Sequence, residues 1–325
     1  MRSVIHDSFG DPAEVLHPAD SVRPEPASGE VLVRMRLSPI HNHDLWTVRG
    51  DYGYKPTLPA IGGTEAVGTV EAVGEGVEPG LIGKRVAVAS VHGTWAEFFT
   101  APAAGVVRLD DAISDELGAQ LIAMPFSAIS LLEFLNVKEG DWVIQTAANG
   151  AVGKIFATIA KSRGVHTLNL VRRDDAVAEL EALGIENIIS TANEGWQKEA
   201  RAILGKAGAR AAIDSVGGKI ATDLADLLGT EGLLVVFGTA TGAPLELSSG
   251  GLIMKHLTVK GFWGSKVSSE MAAADKGRLI GELIGLAMQG KLALPAGGVF
   301  DLADITDAVK ASLTPGRNGK ILLRP

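Results

Sequence analysis

Two groups of residues have the types and spacing to do chemistry. The first is His41-Asn42-His43-Asp44, with Tyr52, Tyr54 and Glu65 downstream. Two histidines one residue apart near two carboxylates are donors that a metal ion could use. In an extended segment, however, His41 and His43 share a face while Asp44 points away. The other reading is that these side chains hydrogen-bond the wall of a pocket. The second group is Ala147-Ala148-Asn149-Gly150-Ala151-Val152-Gly153, a variant of GxGxxG with Ala147, Gly150 and Gly153 in its three places. Small residues let a backbone come close to a pyrophosphate, and a following helix offers it free N–H groups and a positive dipole end. Asn149, Gly150, Ala151, Val152 and Gly153 are therefore candidate dinucleotide contacts.

The flanking elements suit that use. Trp142-Val143-Ile144 is a short apolar run that predicts a buried strand. Lys154 to Arg163 carries Ile155, Phe156, Ile159 and Ala160 at helical spacing and stops at Gly164. His166 to Val171 predicts a second strand, completing a strand–turn–helix–strand unit. An NAD site has an acid about 20 residues past the glycines to accept from the ribose hydroxyls. Here Arg172 and Arg173 follow the second strand. A guanidinium suits a 2′-phosphate, which favours NADP. The alternative is a solvated turn in which the arginines pair with Asp174 and Asp175, and it keeps NAD open.

Composition bounds the classes. A chain of 325 residues predicts two domains, each able to bury a core. With 46% hydrophobic and 21% charged residues it reads as a globular α/β protein. A net charge of −8 without a basic block argues against nucleic acid or an anionic membrane as partner. The first residues are too polar for a secretion signal and no apolar run reaches spanning length, so a cytoplasmic protein is expected. Zero cysteines exclude disulfides, thiol catalysis and cysteine-ligated zinc.

Along the chain, residues 1–117 read as strands between Pro and Gly turns, the rhythm of a barrel-like β domain. Strands are predicted at Val31–Leu37, Ala66–Val73, Lys84–Ala89 and Trp95–Thr100. Leu121–Leu135 predicts a helix. Strands at Asn187–Ser190, Ala211–Asp214, Leu233–Gly238 and Leu257–Phe262 then alternate with helices at Asp175–Leu183, Gly195–Leu204 and Gly218–Leu228. With the opening unit, that makes six strands, the count of a doubly wound dinucleotide domain. The tail predicts helices near Leu279–Met288 and Ile305–Leu313 and strands at Val299-Phe300 and Lys320–Leu323. Those strands have no place in a completed six-stranded sheet, so the tail is expected back in the first domain. The domains are then 1–117 with 265–325, and 118–264.

This organisation resembles the medium-chain dehydrogenase/reductase superfamily. Gly63-Thr64-Glu65-Ala66-Val67-Gly68-Thr69-Val70-Glu71-Ala72-Val73-Gly74 matches its GxExxGxVxxxG signature. The resemblance implies a GroES-like catalytic domain and a six-stranded Rossmann domain. Zinc alcohol dehydrogenases of the superfamily hold the catalytic metal with a Cys, the His of a GHE motif and a later Cys or Asp. Here His41 stands in the first place and Thr64 replaces the motif His, so no metal is expected.

Within the zinc-free branch the chain is most similar to 2-enoyl thioester reductases, NADPH-dependent enzymes that reduce C2=C3 of enoyl-CoA or enoyl-ACP. Segments that carry the likeness include Arg49-Gly50-Asp51-Tyr52-Gly53, Asn169-Leu170-Val171-Arg172-Arg173, Lys260-Gly261-Phe262-Trp263 and Gly316-Arg317-Asn318-Gly319-Lys320. The resemblance implies that Tyr52 is the catalytic tyrosine, that Trp263 lines the acyl pocket with His41 and His43 nearby, and that Gly238, Thr239, Asn318 and Lys320 also contact NADPH. It also implies a homodimer, paired through Leu257–Phe262. The family has small residues where this chain has His41 and His43, which suits a smaller or more polar acceptor. A quinone or alkenal reductase, and a catalytically silent NADPH-binding protein, are the other readings.

Overall fold

Alternating apolar residues between Glu30 and Ala101 build the sheet that carries the first chemical group. The computed structural model describes all 325 residues, Met1 to Pro325. Contacts divide them into two units, Met1–Ala123 with Glu282–Pro325, and Met124–Gly281. The sequence suggests divisions at 117/118 and 264/265; contacts divide the chain at 123/124 and at 281/282, the latter inside a helix.

The first unit contains β1 (Arg2–His6), α1 (Pro12–Val15), β2 (His17–Asp20), β3 (Glu30–Pro39), α2 (Asn42–Arg49) and β4 (Ala60–Ile61). It continues with β5 (Glu65–Val73), β6 (Arg85–Ala89), β7 (Phe98–Pro102), β8 (Val107–Arg108) and α3 (Asp115–Gly118). The long β3 is its axis. It pairs antiparallel with β5 and with β7, and its end meets the chain's last strand. Val31, Val33 and Met35 of β3 bury with Ala66, Val70, Val86 and Trp95 in one core. Signature glycines are explained by close approach: a Cβ at Gly68 would run into the Arg34 carbonyl, and one at Gly74 into that of Ala27.

The second unit holds α4 (Ala123–Leu135), β9 (Trp142–Gln145), α5 (Ala151–Ser162), β10 (His166–Val171), α6 (Asp175–Glu181), β11 (Ile188–Ser190) and α7 (Trp196–Leu204). Then come β12 (Ala209–Asp214), α8 (Ile220–Leu227), β13 (Leu228–Val236), α9 (Ser249–Lys255), β14 (Thr258–Gly261), α10 (Gly264–Glu270) and the first part of α11 (Ala273–Met288). Its six strands are parallel in the order β11-β10-β9-β12-β13-β14. That is the doubly wound order, with sequence neighbours reversing direction across the sheet beside β9. Leu168 and Leu170 pack with Trp196 and Leu224, whereas Val171 packs with Ala157, Ala176 and Leu180. The period-2 pleat sends these neighbours to opposite faces, so helices cover both.

The tail supplies β15 (Ala296–Asp301), α12 (Ile305–Leu313) and β16 (Lys320–Arg324). β16 pairs with β3 at Leu322–Pro39 and Leu323–Ser38, and β15 adds outside it. The tail thus completes the first unit's sheet, as its leftover strands required. No helix is long and apolar enough to cross a membrane.

One local expectation is overturned. The segment after Ile40 is not extended: Asn42–Arg49 is a helix, closed by Gly50 in the left-handed region. Its entry is held by Asp44, whose Oδ2 accepts the His41 backbone N–H at 2.9 Å. Leu45 and Val48 are buried at helical spacing.

Candidate active site

The helix changes the geometry of the first chemical group. Asp44 does not point away; it is buried, and it joins the histidines. Thr64 Oγ1 donates to Asp44 Oδ1 at 2.7 Å, and His43 Nε2 lies 2.8 Å from the same hydroxyl. His41 and His43 still share a face, as stacked rings with centroids 5.0 Å apart. The His43 ring also stacks with half-buried Tyr52 at 5.8 Å. Tyr52, His41 and His43, separate candidates in the sequence, thus form one side-chain cluster.

Beneath it lies a sealed polar core. His41 Nε2 is 2.7 Å from Glu65 Oε2, with 1% and 0% of the two side chains exposed. Glu65 Oε1 accepts the N–H groups of Ile122 and Ala123, both at 2.8 Å. Burial pushes the Glu65 carboxyl up to about 7, against those two hydrogen bonds. Burial also holds His41 well below its ordinary value, helped by the positive charge of Lys320. Lys320 itself is buried, and its ammonium is brought down to about 8 by burial and Arg317, opposed by Asp44 and Glu65. Lys320, a candidate cofactor contact, also acts electrostatically on His41 and Glu65. Asn318, two residues earlier, is exposed.

A cavity of about 440 Å³ opens in this unit, lined by Asp44, Thr64, Tyr54, His92, Ile61 and Gly63 among others. Tyr54 and His92 stack at 4.0 Å and 13°. His92 is a lone histidine in a loop and carries no spacing signal in the sequence. Trp263 belongs to the other unit, 64% exposed before α10.

The glycine turn has the form its residues predict. Gly150 precedes α5 with no side-chain cap, so the N–H groups of Ala151, Val152 and Gly153 are left for an anion. Ala147 sits at φ 51°. A Cβ on Gly153 would lie 2.6 Å from the Ala148 carbonyl oxygen, so only glycine lets the helix pack this close to the turn. Gln145 donates to the Gly153 carbonyl at 2.9 Å and to Asn169 at 2.6 Å, which ties β9, α5 and β10 together. Beyond β10, Arg173 pairs with Asp175 at 3.2 Å, and Arg172 is exposed. Gly238 packs over Ser215, where a Cβ would meet its carbonyl oxygen at 2.9 Å; Thr239 is exposed. This cradle and the free helix start fit a dinucleotide.

Known proteins agree with both halves. An alcohol dehydrogenase GroES-like domain model matches residues 27–111, and a zinc-binding dehydrogenase model matches residues 151–276. The enoyl-[acyl-carrier-protein] reductase, mitochondrial, of Xenopus tropicalis is 32% identical, over 99% of this chain and 95% of its own. The human protein of the same name is 30% identical, over 99% of this chain and 88% of its own. The chain belongs to the medium-chain dehydrogenase/reductase superfamily. The Escherichia coli quinone oxidoreductase, solved as a complex with NADPH, superposes with a TM-score of 0.88 at 26% identity, covering 100% of both chains. The quinone oxidoreductase of Pseudomonas syringae superposes with a TM-score of 0.86 at 27% identity, again over 100% of both.

The name of the second model raises the question of zinc, and the donors do not fit it. Thr64 spends its hydroxyl on Asp44, His41 Nε2 is held by Glu65, and there is no cysteine. His41 Nδ1 is buried without a partner, but one nitrogen is not a coordination set. No step below is routed through a metal.

Proposed function

We propose that this protein is an NADPH-dependent reductase of an activated C=C bond whose acceptor is a 2-enoyl thioester on CoA or an acyl carrier. One observation carries the reading. Tyr52 stands half-buried against His43 in a chain 32% identical, nearly end to end, to an enoyl-[acyl-carrier-protein] reductase. The cofactor is NADPH; when bound, it supplies a hydride, here to C3 of the enoyl group. The first-turn N–H groups of α5 receive its pyrophosphate and Arg172 its 2′-phosphate, with Gly238, Thr239 and Asn318 as further contacts. Negative charge then gathers on the thioester oxygen. A phenol donating to that oxygen stabilises the enolate, and this is the role assigned to Tyr52. The exposed indole of Trp263 is given to the acyl chain. A cytoplasmic homodimer belongs to the same proposal.

A second reading, reduction of a quinone or 2-alkenal, is favoured by the Tyr54–His92 stack on the cavity wall, which offers a flat acceptor an aromatic face. An acceptor screen separates the two. NADPH oxidation is followed with crotonyl-CoA, 1,4-benzoquinone and 2-hexenal. Turnover of crotonyl-CoA is expected; if it is inert while quinone is reduced quickly, the enoyl assignment falls. Tight NADPH binding without turnover of any acceptor would mark a binding protein instead.

A further inference from the structure

Reduction of a double bond needs a proton as well as a hydride. We propose that His43 is the acid that supplies it, with Thr64 and buried Asp44 as its positioning residues. The inference rests on the reductase reading but not on the choice of acceptor.

Hydrogen-bond arithmetic orients the ring. A threonine hydroxyl has one proton, and Thr64 gives it to Asp44 Oδ1 at 2.7 Å. Thr64 Oγ1 can then only accept from His43 Nε2, 2.8 Å away, so Nε2 carries a hydrogen. The same Nε2 is 3.5 Å from Asp44 Oδ1. That carboxylate is itself fixed, since Oδ2 holds the His41 backbone N–H at 2.9 Å. The His43 Nε2–H is bonded toward a buried carboxylate, which anchors the ring and leaves Nδ1 as the nitrogen that delivers the proton. With 25% of the His43 side chain exposed, water can recharge it.

The stacked neighbour shows the opposite design. His41 is sealed, tied to Glu65 and held neutral by burial. Two adjacent imidazoles whose environments diverge in this way can take different roles. The groups facing His43 are His41 just before α2, Asp44 within it, Tyr52 from the loop after it, Thr64 just before β5 and Glu65 at its start. His92, from the loop after β6, feels the charge of His43. The positive charge of Lys320 acts on His41.

The step balances. Hydride at C3 leaves the electron pair shared between C2 and the thioester oxygen. The Nδ1–H bond of the imidazolium breaks, a C2–H bond forms, and neutral His43 takes a proton from water. Each double bond thus gains one hydride and one proton. With a quinone the same proton goes to oxygen.

The test uses the full-length enzyme and three variants. His43→Gln keeps an N–H donor for Thr64 but has no ionisable group. It is expected to retain the wild-type melting temperature and NADPH affinity while kcat falls about 100-fold. His43→Ala should fall similarly and recover activity on addition of imidazole. Thr64→Val removes the hydroxyl at similar volume and should lower kcat without raising the KM for NADPH. Retention of kcat in His43→Gln, or a loss in His43→Ala that imidazole does not restore, overturns the proposal. If crotonyl-CoA proves inert and 1,4-benzoquinone is turned over, the enoyl reading fails alone. The same variants assayed with quinone then still decide the role of His43.

Discussion

His41 Nε2 and Glu65 Oε2 meet at 2.7 Å in a place closed to solvent, and Glu65 also holds the N–H groups of Ile122 and Ala123. One carboxyl therefore fastens the start of α2 to the chain where α4 begins, beside a histidine that burial keeps neutral.

The pH dependence of stability follows from that carboxyl. Its folded-state value is raised, so the folded protein binds the proton more tightly than the unfolded chain. Its contribution is full below the ordinary value of 4.5 and is lost as pH rises toward about 7. His41, depressed when folded, works in the opposite direction: stability rises with pH toward its ordinary value of 6.5. Glu65→Gln keeps an oxygen for the two backbone N–H groups, turns an amide N–H toward His41 and removes the carboxyl titration. Across the window from 4.5 to about 7, wild type should lose stability relative to this variant. Chemical denaturation at a series of pH values reads the difference; a flat difference would take Glu65 out of the pH dependence.

Tyr52→Phe keeps the ring that stacks on His43 and removes the hydroxyl. Turnover is expected to fall by about 100-fold, with NADPH affinity nearly intact. An unchanged rate in a steady-state assay would remove the phenol from the chemistry.

The two arginines after β10 are not equivalent. Arg173 is engaged with Asp175, whereas Arg172 is exposed. Arg172→Ala should therefore lower the NADPH-over-NADH ratio of kcat/KM more than Arg173→Ala. A loss of about tenfold or more is expected from one charge-assisted phosphate contact. Exposed ion pairs contribute little, so neither change should move the melting temperature much. Unaltered cofactor preference in the double variant would refute the phosphate assignment.

β14 is an edge strand, and all four of its residues are exposed. Val259 is 38% exposed on it, and Ile253 and Met254 of the preceding helix are 70% and 79% exposed. An unpaired edge with nearby apolar side chains invites a second copy. Sedimentation should show a dimer for the wild type and a larger monomer fraction for Val259→Lys. A monomeric wild type at assay concentration would end the dimer proposal.

The sequence by itself determined what is local. Apolar period and turn residues placed β9, α5 and β10, and the small residues from Ala147 to Gly153 marked the turn before α5 as a candidate anion site. The leftover strands Val299-Phe300 and Lys320–Leu323 already required a place outside the six-stranded sheet. Even α2 left a trace, in Asp44 three residues past His41 and in Gly50 as its stop, but polar crowding hid the helical spacing of Leu45 and Val48. Only the tertiary structure decided the cluster. Asp44 reaches His43 through Thr64, Glu65 reaches His41, and Lys320 enters from the last strand. These groups come together because β3, β5 and β16 pair in one sheet, and pairing between strands distant along the chain leaves no period in the sequence. Their charge states depend on that burial, which no single segment encodes.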